Sequence, residues 1–402
     1  MKNILIINGE PFQDQTATGI TLKSIFNLYP KSNLYFIHLS KLQPDLYYSS
    51  NVFSFFKDDI EIEKFNSDIS FVPMTNSIFP SLKNELRQWA DLYPMQFSSR
   101  ITNFIVESKC DFIYSTLGNI RIIKLVLYAQ KLLNCNIIPH FMDDWKESIY
   151  DSKRFLIHNF FLRRGLKNIF KKSKHGLAIS EKMAVEYQNQ YNIQFLTIMN
   201  CVPDSQILIP TVKLENELIL VYTGGLHLNR WKSLLIFSKA MQLIINEYDF
   251  KLEIYCSTKD RLEYEKLFEK FTFVYFMGYV PVYDIEKVLF RSDFLIHCES
   301  FDSKFIKYTR LSLSTKIPTY LKQGKPIIAI GPNEIESIDY LSRHNAAIIF
   351  DNNDINMIAY QIKDLFDGNI NVEKIVDNGV KLVSRNHTFS SVSLKLSTVF
   401  DS

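Results

Sequence analysis

The sequence predicts an α/β protein with two doubly wound parallel-sheet domains, and three observations lead to this fold class. The chain has 402 residues, more than a single hydrophobic core usually serves. Short apolar runs alternate with segments of helical periodicity from end to end, which indicates parallel sheets covered by helices on both faces. The series begins again near residue 215, so we expect domains at 1–205 and 210–386 and a terminal helical segment at 387–402.

The strands are predicted from apolar runs bounded by polar or turn-forming residues. In the first half they are Asn3–Asn8, Asn33–Leu39, Asp111–Ser115, Asn136–Phe141, Gly176–Ser180 and Gln194–Met199. In the second half they are Leu218–Thr223, Lys251–Cys256, Thr272–Met277, Asp293–Cys298, Pro326–Ile330 and Ala346–Phe350. Helical patterns such as Asn119–Leu133 and Trp231–Asn246 lie between the strands.

The composition is that of a globular protein, with 47% hydrophobic and 22% charged residues. A formal net charge of +3 is too small to predict a nucleic-acid partner. The cysteines lack the spacing of a zinc site or a redox pair, so we expect buried free thiols in a reducing compartment. The N-terminus has no signal-peptide pattern, and no run reaches the ~18 apolar residues of a membrane span. We therefore expect a cytoplasmic protein, soluble or bound at the inner face of the membrane.

The loop Tyr222–Lys232 follows a predicted strand and precedes a predicted helix. Gly224 and Gly225 permit a tight turn in which the backbone N–H groups approach a phosphate. Arg230 and Lys232 fall in the first helical turn, where a cation is unfavourable unless an anion binds there. The loop is interpreted as a phosphate site, and a plain glycine turn with solvated basic residues is the alternative.

The stretch Ser312–Pro332 joins a polar loop, a short helix and a strand. Ser314, Thr315 and Lys316 stand at the start of that helix. Unpaired N–H groups and the helix dipole attract phosphate at such a position. The stretch therefore predicts a second contribution to the same anion site.

Two carboxylates, Glu299 and Asp302, follow the predicted strand Asp293–Cys298. Ligands of parallel sheets bind at the carboxyl ends of strands, which makes both residues candidates for the site. The alternative is that both are loop carboxylates in solvent.

In the first half, Pro139–Trp145 places His140, Asp143 and Asp144 directly after a predicted strand. An imidazole and carboxylates at a strand's carboxyl end can hydrogen-bond a polar ligand. A histidine near a strand end is more often structural, so that alternative stays open for His140.

The loop Gly9–Gly19 follows the first predicted strand and lacks a G-x-G-x-x-G fingerprint. We therefore expect no dinucleotide site in the first half. Thr18 or Thr21 can cap the helix that follows this loop.

The run Arg163–His175 is strongly basic. Leu162, Leu166, Ile169 and Phe170 can line one helix face while the basic residues gather elsewhere. Such a helix can lie on anionic lipid, which predicts peripheral membrane contact. A solvated charged face is the alternative.

Three stretches, Pro139–Trp145, Ala178–Tyr187 and Ser312–Pro332, carry a resemblance to a known family. They resemble segments of GT-B glycosyltransferases, specifically the retaining enzymes of the glycogen-synthase-like class, glycosyltransferase family 4. The resemblance implies two Rossmann-like domains facing a cleft, with a terminal helix returning to the first. It implies hexosyl transfer from a nucleotide-diphosphate sugar to a glycan or lipid-linked acceptor, without a cofactor or bound metal. The implied setting is synthesis of a bacterial surface polysaccharide such as capsule or O-antigen.

The resemblance also assigns roles to residues of this chain. The implied catalytic residues are Arg230, Lys316, Glu299 and His140. The implied donor-binding residues are Gly19, Gly224, Gly225, Ser314, Thr315 and Thr319, and the implied acceptor-side residues are Asp143, Asp144 and Trp145. The sequence departs from the family where Gly225 replaces a basic residue, and where Leu311 and Thr319 replace two glutamates.

Two other functions stay open, and the departures at Gly225 and Thr319 support the first of them. One is a non-catalytic homologue that binds a nucleotide sugar or scaffolds partner enzymes. The other is a nucleotide-sugar epimerase. Turnover of labelled nucleotide sugars separates glycosyl transfer from the first alternative, and product analysis without an acceptor separates it from the second.

Overall fold

The computed structural model of the protein describes residues 1–14, 16–48, 50–55, 92–144, 156–208, 217–281 and 283–401. The chain forms two compact units, Met1–Ile198 with Ser393–Ser402, and Met199–Val392. The units divide earlier than the 205–210 boundary expected from the sequence. The reason is that Val202 bridges to Thr388, so the segment after Ile198 packs within the second unit. In the described part of the chain, no helix combines the length and hydrophobicity needed to cross a bilayer.

The first unit is built on one parallel sheet. Its strands are β1 Ile4–Asn8, β2 Leu34–His38, β3 Asn51–Ser54, β4 Phe112–Ser115, β5 Asn136–Phe141, β6 His175–Ala178 and β7 Gln194–Thr197. Its helices are α1 Ala17–Ile25, α2 Ser99–Ser108, α3 Ile120–Leu133, α4 Leu156–Phe170 and α5 Glu181–Tyr191. The seven strands run in the order β3-β2-β1-β4-β5-β6-β7, each parallel to its neighbours.

The second unit repeats this plan with six strands. They are β8 Leu218–Thr223, β9 Phe250–Tyr255, β10 Val274–Gly278, β11 Phe294–Cys298, β12 Ile327–Ile330 and β13 Ile348–Phe350. Its helices are α6 Arg230–Leu243, α7 Thr258–Tyr264, α8 Ile285–Phe290, α9 Ser303–Thr309, α10 Lys316–Leu321, α11 Glu336–Arg343, α12 Ile355–Phe366 and α13 Val372–Asn386. The last helix, α14 Phe389–Phe400, begins in the second unit, but most of it belongs to the first. The parallel strands run in the order β10-β9-β8-β11-β12-β13. The predicted α/β class with two doubly wound parallel sheets is confirmed.

In both sheets the order in which strands are added reverses next to the first strand of the unit. The reversal lies between β1 and β4 in the first unit, and between β8 and β11 in the second. The crevice outside the carboxyl ends of strands at such a point is where open α/β sheets bind ligands. In the second unit the loops after β8 and β11 carry Gly224 and Glu299, so the fold brings these two loops together.

The predicted strands are present, with ends shifted by at most two residues. Central strands such as β1 and β11 are buried along their whole length, which explains their continuous apolar runs. The strand β3 is missing from the sequence prediction, because its four residues form a short edge strand without an apolar run. Ser180 caps α5 by accepting the Met183 N–H.

Candidate functional site

The turn after β8 brings the glycines of the second unit next to Lys316. Gly224 has a φ of 124°, a backbone conformation that favours glycine. A Cβ atom at Gly224 would lie 3.1 Å from Lys316 Nζ, so the lysine approaches the backbone closely. The Gly224 N–H, however, donates to the Tyr255 carbonyl at 2.8 Å. The predicted turn is present, but this N–H already belongs to the sheet, which corrects its predicted role as a phosphate donor.

The residues that follow hold the loop in one shape. The Gly225 carbonyl accepts from the Tyr222 hydroxyl at 2.8 Å, and the Leu226 N–H donates to Asp260 Oδ2 at 3.1 Å. A Cβ atom at Gly225 would lie 2.4 Å from His227 Nδ1, so the ring closes over this glycine. Within the described ranges the Gly225 N–H makes no hydrogen bond, which leaves it as a donor for a ligand.

Arg230, at the start of α6, and Glu299, directly after β11, form a buried ion pair. Arg230 Nε lies 3.3 Å from Glu299 Oε2, and Nη2 lies 3.2 Å from each carboxylate oxygen. The two side chains are only 14% and 3% exposed. Burial opposes the charge of Arg230, but the adjacent carboxylate outweighs burial and raises the pKa of the guanidinium. The solvated alternative is therefore wrong for Glu299, and the charge of Arg230 is already compensated.

Lys316 forms no ion pair with any residue that the structure describes. The Tyr320 hydroxyl accepts the Thr223 N–H at 3.0 Å, which fixes α10 against the end of β8 and brings Lys316 to the turn. Lys316 Nζ lies 4.4 Å from the Tyr222 ring centroid, and among the described residues it has no carboxylate within 4.0 Å. Burial, followed by repulsion from Arg230, lowers the pKa of Lys316 to about 7. An anion bound here would restore the charge of the lysine.

The start of α10 presents backbone N–H groups beside this lysine. Thr315 precedes the helix without making a side-chain cap. The Ser314 N–H donates to Ser337 Oγ at 2.9 Å, so it is already used, whereas no hydrogen bond from the N–H of Thr315 or Lys316 is found across the described residues. Thr319 is partly exposed on the same helix. The helix start therefore offers two amides, not three, to an anion.

Two residues that the sequence analysis missed lie against Glu299, and one of them, Ser233, forms a hydrogen bond with it. Ser233 Oγ donates to the Glu299 carbonyl at 2.6 Å, and His297 Nε2 lies 3.5 Å from Glu299 Oε1. His297 is fully buried, and burial lowers its pKa well below the ordinary value, so the ring is neutral. Its place two residues before Glu299 on a buried strand is the one signal that could have identified it.

Asp302 and Lys232 lie beside this pair but serve local structure. Asp302 caps α9 by accepting the Lys304 N–H at 3.1 Å, and it also accepts from Asn229 Nδ2 at 3.1 Å. Lys232 Nζ is 4.0 Å from Asp302 Oδ2, and its side chain is 50% exposed. Lys232 is therefore a weaker candidate than Lys316 for an anion contact.

Metal ligands do not cluster in the residues that the structure describes, where no group of three His, Cys, Asp or Glu side chains has suitable geometry. Metal independence and the lack of a cofactor stay predictions. The five cysteines are free thiols, four of them buried and Cys135 partly exposed.

Comparison with known proteins rests on structure, since no protein-family model and no curated sequence matches the chain. Among solved structures, HepE of Anabaena in complex with UDP and glucose matches with a TM-score of 0.64 at 13% identity, covering 100% of both chains. The chain has the GT-B fold. Sucrose-phosphate synthase from Thermosynechococcus elongatus matches this GT-B chain with a TM-score of 0.67 at 11% identity, over 100% of it and 98% of the synthase. TarM matches with a TM-score of 0.64 at 11% identity, over 100% and 99%.

In the first unit of this GT-B chain, His140 lies inside the protein. It is fully buried at the end of β5, and its Nδ1 lies 2.6 Å from the Tyr114 hydroxyl. Burial lowers the pKa of His140 to about 3, so the ring is neutral at physiological pH. This environment favours the structural alternative over the predicted catalytic role.

The neighbouring carboxylates divide into one buried and one exposed group. Asp144 is fully buried and accepts the Tyr187 hydroxyl at 2.6 Å, so it joins the loop after β5 to α5 and does not face an acceptor. This corrects its predicted acceptor-side role, because a buried carboxylate must be hydrogen-bonded. Asp143 is exposed, and Trp145 lies outside the described residues.

The conformation of the loop before α1 leaves no room for a side chain at Gly19. Thr16, not Thr18 or Thr21, caps α1, and its Oγ1 accepts the Gly19 N–H at 3.2 Å. A Cβ atom at Gly19 would lie 2.5 Å from the Gln13 carbonyl oxygen. The family resemblance assigns Gly19 to donor binding, but the space beside it is occupied by the Gln13 carbonyl and its N–H is already hydrogen-bonded.

Proposed function

We propose that the protein transfers a sugar from a nucleotide-diphosphate sugar to a glycan or lipid-linked acceptor. The observation that carries this proposal is the position of Lys316 at the switch point of the second sheet, beside the Gly224 turn and with no carboxylate within 4.0 Å among the described residues. A half-buried lysine without a carboxylate partner costs free energy in the empty site, which a bound anion would recover. The GT-B neighbour HepE was solved with UDP and glucose, which supports a diphosphate as that anion.

The chemistry follows from where negative charge develops. As the glycosidic bond breaks, charge builds on the leaving diphosphate, and groups placed to meet it lower the barrier. In this site the available groups are Lys316 Nζ and the N–H groups of Gly225, Thr315 and Lys316. Removing one such donor typically costs about 10²-fold in rate. Retention of configuration, hexosyl specificity and metal independence are parts of the proposal that rest on the family resemblance.

The two basic side chains are expected to contribute unequally. Arg230 is bonded to Glu299, so the pair has no net charge, and its attraction for a diphosphate is weakened. Lys316 has no such partner among the described residues. We therefore assign Lys316 the main electrostatic role, with Arg230 acting as a donor held in place by Glu299.

A non-catalytic nucleotide-sugar-binding homologue is the second candidate. Thr319 is partly exposed on α10 at a position where the family has a glutamate, and a hydroxyl makes a weaker ribose contact than a carboxylate. This departure weakens the case for turnover without affecting the anion site.

The proposed setting is assembly of a bacterial surface polysaccharide at the inner face of the membrane. The predicted contact of Arg163–His175 with anionic lipid belongs to this proposal. The apolar face expected from the sequence cannot contact lipid, because Leu162, Leu166, Ile169 and Phe170 are buried in the first unit.

Thermal shift with uridine, guanosine and cytidine diphosphates and their sugars tests ligand binding, because a ligand of the native state raises its melting temperature. Labelled nucleotide sugars, with and without acceptor glycans, then test turnover. We expect Lys316→Met and Arg230→Ala to lower turnover at least about tenfold, with Lys374→Met as an exposed control in the same unit. Stabilisation without turnover would favour the binding homologue, and an isomerised sugar without acceptor would favour an epimerase. No stabilisation by any diphosphate would overturn the proposal.

A further inference from the structure

The outer face of α4 exposes three large apolar side chains. Ile157, Phe160 and Phe161 are 54%, 58% and 46% exposed. Their spacing of three and four residues puts them on one face of the helix. The opposite face, which includes Leu162 and Leu166, is fully buried. The exposed residues are therefore additional to the apolar stripe that the fold requires.

Basic side chains extend the exposed face of α4 toward the C-terminal end of the helix. Arg164 follows Phe160 and Phe161 on the exposed face one turn later, and further exposed cations flank it or follow the helix. These are Arg163, Lys167, Lys171, Lys172 and Lys174. From 156 to 175 the sequence contains no Asp or Glu, so nothing in this segment offsets the charge.

A cleft lies directly beside these cations. It has a volume of about 750 Å³ and is open to solvent. Arg163, Lys167 and Lys171 line it on the α4 side, and Tyr191 and Asn192 at the end of α5 line the other. Its size and charge suit the phosphate of a lipid headgroup.

We propose that the α4 face, defined as Ile157, Phe160, Phe161, Arg164, Lys167 and Lys171, docks the first unit onto a bilayer containing anionic phospholipid. Phenylalanine and isoleucine side chains enter the boundary between headgroups and acyl chains, while lysine and arginine contact the phosphates. A bilayer fits better than a nucleic acid, because an aliphatic side chain and two adjacent phenyl rings sit at one end of the cationic stripe. This inference deepens the membrane contact in the proposed function and does not depend on the donor site.

Flotation of the full chain with phosphatidylcholine vesicles, with and without phosphatidylglycerol, tests this docking. We expect binding to the anionic vesicles only, weakened by high salt. The double variant Phe160→Ser/Phe161→Ser and the variant Lys167→Glu should each bind at least about tenfold more weakly. Val185→Ser, 63% exposed on α5, and Lys131→Glu, exposed on α3, are matched controls expected to bind like wild type.

Two readouts separate the possible outcomes. The phenylalanine variant should unfold cooperatively at a melting temperature close to that of the wild type, which shows that it is folded whether or not a diphosphate binds. Loss of vesicle binding with that melting temperature retained supports the docking face. Absence of wild-type binding to anionic vesicles, binding by the phenylalanine variant equal to that of Val185→Ser, or tighter binding to an RNA oligonucleotide than to vesicles would each overturn it.

Discussion

Replacing Lys316 with methionine should abolish the pH dependence of nucleoside-diphosphate binding. The lysine has a pKa of about 7 in the empty site, against 10.5 in its ordinary environment. At pH 7 it is therefore about half charged. A bound diphosphate favours the charged form, so binding takes up about half a proton at pH 7 and nearly a whole one at pH 8.

The magnitude follows from the same values. Raising the pH from 7 to 9 reduces the protonated fraction of the empty site from about one half to about one hundredth. If the diphosphate restores an ordinary pKa, affinity falls by up to about 50-fold across that range. Other titrations interfere little, because burial lowers the pKa of nearby His227 below its ordinary 6.5, and a terminal phosphate has its second pKa near ~6.

The lowered pKa of Lys316 also makes the free energy of unfolding depend on pH. Between pH 7 and pH 10.5 the unfolded chain holds a proton on Lys316 that the folded chain lacks, so this residue makes stability rise with pH. Lys316→Met removes the cost, which is at most about 4 kcal/mol at pH 7 and smaller in practice because the residue is partly exposed. The variant should therefore bind worse and unfold at a higher temperature.

Isothermal titration calorimetry in buffers of different ionisation enthalpy measures both affinity and proton uptake. The ligand is the diphosphate that gives the largest thermal shift, and Lys374→Met is the control. An affinity of the wild-type protein that stays constant from pH 7 to pH 9 would refute the reasoning, as would a methionine variant less stable than wild type at pH 7.

Three further predictions concern buried groups. Arg230→Ala leaves the Glu299 carboxylate buried and unpaired, so it should lower the free energy of unfolding in urea by about 3–5 kcal/mol. Adding Glu299→Gln should recover part of that loss, because the two side chains are paired. A double variant whose loss equals the sum of the two single losses would contradict the pairing. Gly19→Ala should destabilise by about 1–3 kcal/mol because its Cβ would overlap a carbonyl oxygen at 2.5 Å, and an unchanged midpoint of unfolding would contradict this. His140 has a folded pKa of about 3, below its ordinary 6.5, so protonation of the unfolded chain should lower stability by about 2 kcal/mol from pH 7 to pH 5; His140→Gln should remove that slope, and an unchanged slope would count against the buried neutral ring.

Much of the site could be located from the sequence because its signals are local. The apolar run of β8 ends at Thr223, and the glycine turn and the basic start of α6 follow within a few residues. Likewise, Lys316 at the start of α10 is visible as a polar run before a short helix. Strand, turn and helix start depend on neighbouring residues, so position along the chain was sufficient to find them.

Which groups in the site are already bonded could not be found in this way. Arg230 and Glu299 are 69 residues apart and meet because β11 pairs with β8. His140 and Asp144 look like a polar cluster in the sequence, but each has a buried tyrosine partner from another element. The Gly224 N–H donates to the Tyr255 carbonyl on β9, a bond that arises only because β9 pairs with β8.

The sequence by itself determined the α/β class, the alternation of strands and helices in each unit, and the loops that carry the candidate anion site. These follow from apolar periodicity and turn chemistry, which act over a few residues. Only the tertiary structure decided that Lys316 lacks a counter-ion among the described residues while Arg230 has one, and that α4 exposes Phe160 and Phe161 while burying its predicted lipid face. Charge compensation and burial depend on which strands and helices become neighbours, and in a parallel sheet those neighbours are far apart along the chain.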